Sequence, residues 1–156
     1  MPAVTAADLC ALPEPATGWP RWVFEAPYDA ARHPAAAPGG GALSPEGGAN
    51  CQLYAYGVLG LLGRSVPPHR SSDLWEDPAL GHPSPADVDD LDLVLFAREG
   101  RAFGAHVGVV VGDRVLHLCR EVGVPALWGW EEFAARARYS VVVGRVRVPA
   151  DPSVRG

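Results

Sequence analysis

Residues 105–118 read AHVGVVVGDRVLHL, and this stretch decides the fold. Two apolar runs flank a Gly-Asp pair that is typical of a two-residue hairpin turn. With that turn, Gly108 faces His117 and leaves space for its imidazole. His106 and His117 then share one face of the hairpin as diagonal neighbours, about 7 Å apart at Cα. A three-residue turn would instead place the two histidines on opposite faces.

An apolar helix is predicted upstream of the hairpin, at 51–62, with the sequence CQLYAYGVLGLL. Asn50 is a good N-cap, and Gly63 is suited to the position just after the last turn. Because the segment is apolar nearly all round, we expect the helix to be buried in the core. Gly57 and Gly60 each cost it about 1 kcal/mol in helix propensity. Close packing against another element would offset that cost.

The remaining segments complete an α+β domain. Helical patterns dominate the front half and strands the back half, so we predict N-terminal helices and a buried 51–62 helix packed on an antiparallel sheet of about four to six strands. A length of 156 residues suits one domain, 1–156. The other predicted segments are strands at 91–96 and 139–148, a helix at 130–138, an extended segment at 19–24, an N-terminal extension at 1–26 that packs on the core, and long Gly- and Pro-containing loops at 34–49 and 65–90.

Composition excludes several classes of protein. Apolar residues make up 48% of the chain and charged residues 20%, as in an ordinary globular protein. A net charge of −5 disfavours binding to nucleic acid or to an anionic membrane, and we expect neither as a partner. No run approaches the 18 apolar residues of a membrane-spanning helix. The first residues, MPAVTAADLCALPEP, have no basic segment followed by a long apolar one, so we expect a cytoplasmic location.

The chemistry centres on a cysteine and two histidines. Cys51 stands at the first helical position, where the helix dipole and unpaired amides are expected to lower its pKa. His106 is placed to take the thiol proton, with His117 as the third group that orients it. One alternative is that the cysteine only packs in the core and that one or both histidines are surface or satisfied core residues. Another is that His106, His117 and Cys119 bind zinc. Three cysteines form an odd, sparse set, so at least one is expected to be a free thiol.

Several motifs together resemble the NlpC family of papain-like cysteine peptidases. Cys51 heads an apolar helix, LDLVLF at 91–96 is similar to the family's GDLVFF strand, and HVGVVVG at 106–112 is similar to its HVGIYVG strand. PHRSS at 68–72 resembles the family's Pro-Arg-Thr/Ser segment, and Pro27-Tyr28 its PY pair. The resemblance covers roughly residues 27–148.

The resemblance implies a papain-like fold and a cysteine hydrolase that needs no cofactor or metal. Cys51 would be the nucleophile, His106 the general base and then acid, and His117 the orienting residue. The backbone N–H of Cys51 would help hold the oxyanion, and Tyr28 would lie beside the site. Such enzymes cleave amide bonds through a thioester, most often in the stem peptides of bacterial cell walls. The implied partner is therefore a small peptide or amide substrate.

The residues that flank the nucleophile differ from the family pattern. The family usually has Asp-Cys-Ser, where the Asp and Ser help recognise a free amine on the substrate, and this chain has Asn50 and Gln52 at those places. We expect both to contact substrate, but neutral Asn50 removes the ionic partner of an ammonium group. Leu91 also replaces the glycine of GDLVFF. These differences motivate a second hypothesis, a binding module that keeps the fold without catalysis.

Overall fold

The computed structural model describes residues 3–36 and 43–151. Five strands form one antiparallel sheet in the order β4-β3-β2-β1-β5. The strands are β1 Leu93–Ala97, β2 His106–Val111, β3 Arg114–His117, β4 Ala126–Gly129 and β5 Val141–Val146. The α-helices are α1 Trp22–Glu25, α2 Cys51–Leu61, α3 Ser71–Glu76 and α4 Trp130–Ala134, and short 3₁₀ turns lie at Ala6–Leu9, Pro85–Asp87 and Ala137–Tyr139.

The β2–β3 hairpin has the register predicted from its two-residue turn. Val111 pairs with Arg114, and Gly112 in the turn has a positive φ of 62°. Gly108 faces His117 across the hairpin, and a Cβ built on it would lie 3.4 Å from the Cβ of His117. The same Cβ would be 2.5 Å from a methyl group of Val115, so the position has no room for a side chain.

The predicted buried helix is α2, and it packs on β2 and β3. The side chain of Asn50 accepts a hydrogen bond from the backbone N–H of Leu53 at 2.9 Å, so it is the N-cap. Gly63 follows the helix with a positive φ of 79°, a conformation that glycine adopts without strain. The capping residues read from the sequence therefore fix both ends of the helix that begins with Cys51.

The two glycines of α2 should respond in opposite ways to alanine. A Cβ on Gly57 would lie 2.6 Å from Pro45 and 2.9 Å from Trp22, whereas a Cβ on Gly60 would meet nothing within 4 Å. We expect Gly60→Ala to raise the free energy of unfolding by about 0.5–1 kcal/mol, from helix propensity. Gly57→Ala should lower it by roughly 1–3 kcal/mol, because its methyl group overpacks the contact. Urea unfolding of both variants checks this, and equal effects at the two positions would contradict it.

Helices cover both faces of the sheet. On one face, α2 packs with Val107 and Val109 of β2, and the N-terminal residues Val4, Leu9, Leu12 and Val23 are buried in the same cluster. On the other face, α4 places Phe133 against Phe96 of β1, with ring centroids 4.0 Å apart and planes nearly parallel. Residues of β2 alternate between these two cores, which is why its burial is continuous.

An ion pair between a buried carboxylate and a half-buried arginine joins the start of β1 to the end of β5. Asp92 is fully buried, and its two carboxylate oxygens accept hydrogen bonds from Nε and Nη2 of Arg147, both at 2.8 Å. Leu91, just before it, is the one non-glycine residue with a positive φ (72°) within 3–36 and 43–151. A glycine, as in the family motif, would adopt this conformation without strain.

Some predicted segments need correction. The 65–90 stretch is not irregular throughout, because it contains α3 and the Pro85–Asp87 turn. The 19–24 segment is not extended, since α1 begins inside it. The 130–138 helix ends early, at Ala134, and β4 was not predicted at all. Of the predicted 34–49 loop, residues 37–42 lie outside the described residues. Over the two described ranges, no helix has both the length and the apolar character needed to cross a membrane.

Candidate active site

A cavity of about 500 Å³ opens at one edge of the sheet. Because the strands are antiparallel, the ends of β1 and β3 and the starts of β2 and β5 all meet at this edge. Cys51, at the start of α2, and His106, at the start of β2, both line it. The sequence-predicted nucleophile and base are therefore brought to one cavity.

The pKa of Cys51 is shifted upward by its surroundings, whereas the sequence predicted a downward shift. Burial raises the pKa of the half-buried Cys51 thiol to about 11. The backbone amides of Val107 and Gln52 and the positive charge of Arg70 act in the lowering direction, but burial outweighs them. The helix terminus is present as predicted, and desolvation of the thiolate is the larger effect. The interaction with Val107 also places the thiol beside the residue that follows His106.

His106 and His117 form a hydrogen-bonded pair. Nε2 of His106 lies 2.8 Å from Nδ1 of His117, with the rings nearly perpendicular. This bond uses one ring nitrogen of His106 and leaves Nδ1 for a thiol or a substrate. Burial lowers the pKa of His106 to about 3, with a further lowering from the charge of Arg138. Burial likewise lowers the pKa of His117 well below its usual value, so both rings are neutral at pH 7.

An aromatic cluster holds this pair in place. The ring of His106 lies 4.7 Å from that of Tyr139, and His117 lies 4.3 Å from Trp128 and 4.7 Å from Phe133. Within the described residues, Nε2 of His117 is buried without a hydrogen-bond partner. Rings packed this closely restrict the rotation of both imidazoles, which fixes the orientation of their nitrogens.

The three predicted substrate-binding residues differ in their placement. Tyr28 lines the cavity together with Cys51 and His106. Asn50 and Gln52 are buried, and the side-chain amide of Asn50 donates to Oε1 of Gln52 at 3.4 Å. Neither belongs to the lining of the cavity. Contact of Asn50 and Gln52 with substrate stays a prediction, and the capping of α2 is what the structure shows for Asn50.

Sequence reasoning missed the charged residues of the cavity. The lining includes Arg98, Arg101, Arg120 and Arg138, and also Glu99. Three of these arginines lie within a few residues of a strand end that the antiparallel topology brings to this edge: Arg98 after β1, Arg120 after β3, and Arg138 before β5. That position relative to the strands is a signal in the sequence from which they could have been found.

The other two cysteines differ in exposure, and the suggested zinc ligands, all of them described residues, do not form a metal-binding group. Cys119 is buried and lines the same cavity, whereas Cys10 is exposed, and all three cysteines are free thiols. Among the residues that the structure describes, no three or more His, Cys, Asp or Glu side chains are grouped so as to hold a metal ion.

Comparison with known proteins adds a structural likeness. The fold is similar to the crystal structure of an NlpC/P60 family protein from Bacillus cereus ATCC 10987, with a TM-score of 0.53 and 16% sequence identity. The match covers 79% of this chain and 35% of that protein, so the chain corresponds to about a third of its length. No family model matches the sequence, and no curated protein matches it either. At this identity the likeness concerns the fold alone, and it confirms the predicted α+β, papain-like architecture.

Proposed function

We propose that the protein is a cysteine hydrolase that cleaves an amide bond through a thioester intermediate. The observation that carries this proposal is that Cys51 and His106 line one cavity and that His106 is hydrogen-bonded to the buried His117. A peptidoglycan-derived peptide or another small peptide is the proposed substrate. The structural likeness to an NlpC/P60 family protein supports a hydrolase on this fold.

In the first step the thiol of Cys51 attacks the substrate carbonyl carbon. Nδ1 of His106 takes the thiol proton as the S–C bond forms, and the backbone N–H of Cys51 stabilises the oxyanion. The C–N bond then breaks, and His106 returns the proton to the departing amine. Because the resting thiol and imidazole are both neutral, proton transfer accompanies attack instead of preceding it.

In the second step water hydrolyses the thioester. Nδ1 of His106 takes a proton from the attacking water, the C–S bond breaks, and the proton returns to the sulfur of Cys51. The carboxylic acid product leaves and ionises in solution. This role requires Nε2–H of His106 to donate to Nδ1 of His117, which places the proton of His117 on its own Nε2. His117 thus acts as a positioning residue that selects the tautomer of His106.

Hydrolysis of a peptide panel, followed by mass spectrometry, tests the proposal. We expect Cys51→Ala to lower the rate of any hydrolysis found by at least about 10³-fold, because the nucleophile is removed. Cys10→Ala is the matched control, since that exposed thiol is outside the cavity. Circular dichroism of each variant verifies folding. Turnover that survives in folded Cys51→Ala would eliminate the cysteine mechanism.

A second candidate function is a binding module that uses the same cavity without turnover. The observation in its favour is that the thiol and the imidazole are both neutral, with the pKa of Cys51 at about 11 and that of His106 at about 3. The peptide panel separates the two candidates. A module would retain peptides unchanged, and Cys51→Ala would bind them as well as the wild type does.

A further inference from the structure

We propose that the ligand of this cavity is an anion, a substrate that carries a carboxylate or phosphate group close to the scissile amide. That the ligand is a substrate rests on the proposed function. That the ligand is negatively charged rests on the residues that line the cavity. Its recognition elements are four arginines, called here the arginine rim. The rim consists of Arg98, Arg101, Arg120 and Arg138.

The rim is built by the topology of the sheet. Arg98 directly follows β1, Arg101 lies in the β1–β2 connection, Arg120 follows β3, and Arg138 precedes β5. Segments distant in sequence therefore bring four exposed guanidinium groups to the edge where Cys51 and His106 lie.

The rim is not neutralised by the protein. Glu99 is the one carboxylate among the described residues that line the cavity, and it pairs with Arg101 at 3.6 Å. Elsewhere in the described chain, no carboxylate lies within 4 Å of Arg98, Arg120 or Arg138. Four arginines and one glutamate leave three positive charges at the cavity, although the whole chain has a net charge of −5.

Two members of the rim lie near residues of the proposed site. The charge of Arg138 acts on His106, and the guanidinium of Arg120 lies 5.6 Å from the ring centroid of Tyr28. Guanidinium groups bind carboxylate and phosphate oxygens in a bidentate manner. A cationic amine would be repelled here, and neutral Asn50 offers it no counter-charge. The sign of the recognised charge is thus opposite to that expected for a free-amine peptide.

Competition between two alkylating agents tests the charge of the cavity without requiring turnover. Iodoacetate is an anion and iodoacetamide is its neutral analogue. The ratio of the iodoacetate rate to the iodoacetamide rate at one thiol is therefore independent of the intrinsic reactivity of that thiol. At pH 9 and low ionic strength, we expect this ratio at Cys51 to exceed that at exposed Cys10 about ten-fold. A single charge at roughly 8 Å in water changes such a rate about two-fold, and three act together.

Charge-removing variants provide the matched comparison. The double variant Arg120→Gln/Arg138→Gln should lower the ratio at Cys51 several-fold, and 0.5 M salt should do the same. Arg21→Gln, a control that removes an exposed charge on the N-cap of α1, should leave it unchanged. Equal ratios at Cys51 and Cys10 in the wild type would overturn the proposal.

NMR titration of the 156-residue chain gives a second measurement that needs no thiol reaction. Glutarate or inorganic phosphate should shift the amide resonances of Ala105 and His106 in a saturable manner, and 1,5-diaminopentane should not. Saturation by glutarate alone assigns a carboxylate, and saturation by phosphate alone assigns a phosphate. Shifts with the diamine and neither anion would overturn the proposal.

The two proposals fail separately. An anion preference at Cys51 together with no hydrolysis of any peptide removes the hydrolase and keeps the anion site. Hydrolysis that depends on Cys51, but shows no anion preference and no rim dependence, keeps the hydrolase and removes the anion site.

Discussion

At pH 7, Cys51 should react with iodoacetamide on the order of 30-fold more slowly than a thiol of ordinary pKa. Burial raises its pKa to about 11, compared with about 8.5 for a free thiol. The thiolate fraction therefore falls on the order of 300-fold, and the greater nucleophilicity of a more basic thiolate recovers roughly ten-fold. The logarithm of the rate should rise with a slope of one per pH unit up to about pH 10.

Peptide mass spectrometry measures this rate separately at each thiol. Exposed Cys10 is the internal reference in the same sample. Arg70→Gln should slow Cys51 further, because the charge of Arg70 lowers the pKa of that thiol. A rate at Cys51 that reaches a plateau below pH 8 would show a preformed thiolate–imidazolium pair and would contradict the neutral resting state.

Acid should unfold the protein through the histidine pair. The folded-state pKa values of His106 and His117 lie below their usual value because both rings are buried. Below about pH 6.5 the two imidazoles bind protons in the unfolded chain but stay neutral in the folded chain. Stability is thus fully present above pH 6.5 and is lost as the pH falls toward the folded-state pKa, which is about 3 for His106.

The loss should approach roughly 1.4 kcal/mol per pH unit for His106, or about 1.6 kcal/mol between pH 6.5 and pH 5, and the burial of His117 adds to it. Urea unfolding at several pH values measures it. His117→Gln should make the slope shallower, whatever its effect on the free energy of unfolding at pH 7. His82→Gln is the matched control, since that histidine is exposed. An unchanged slope in His117→Gln would contradict the assignment.

The parts of the fold that sequence predicted are those signalled by local chemistry. The Gly-Asp turn set the register of the hairpin, and Asn50 and Gly63 set the ends of α2. Strand β4 was not predicted, because the four residues between Pro125 and Trp130 are too few to give a periodic pattern. The position of β5 beside β1, instead of at the far side of the hairpin, is a long-range choice that no local motif encodes.

For the site, sequence supplied the residues but not their electrostatics. The turn placed His106 and His117 on one face, and the helix start placed Cys51. Whether the pKa of the Cys51 thiol is raised or lowered depends on how much of the chain covers the sulfur. That burial is known only once the packed structure is known. The roles of the three residues in catalysis remain predictions, and so do those of Asn50 and Gln52.

The Asp92–Arg147 pair has a consequence for synthesis of the chain on the ribosome. β1 lies between β2 and β5, so its second edge stays open until residues 141–146 have been made. The carboxylate of Asp92 likewise has no guanidinium partner until Arg147 follows. Completion of the sheet, and of the cavity edge that β5 helps to form, is therefore one of the last events after translation of this segment. A nascent chain paused before residue 141 would expose an unpaired strand and an uncompensated carboxylate.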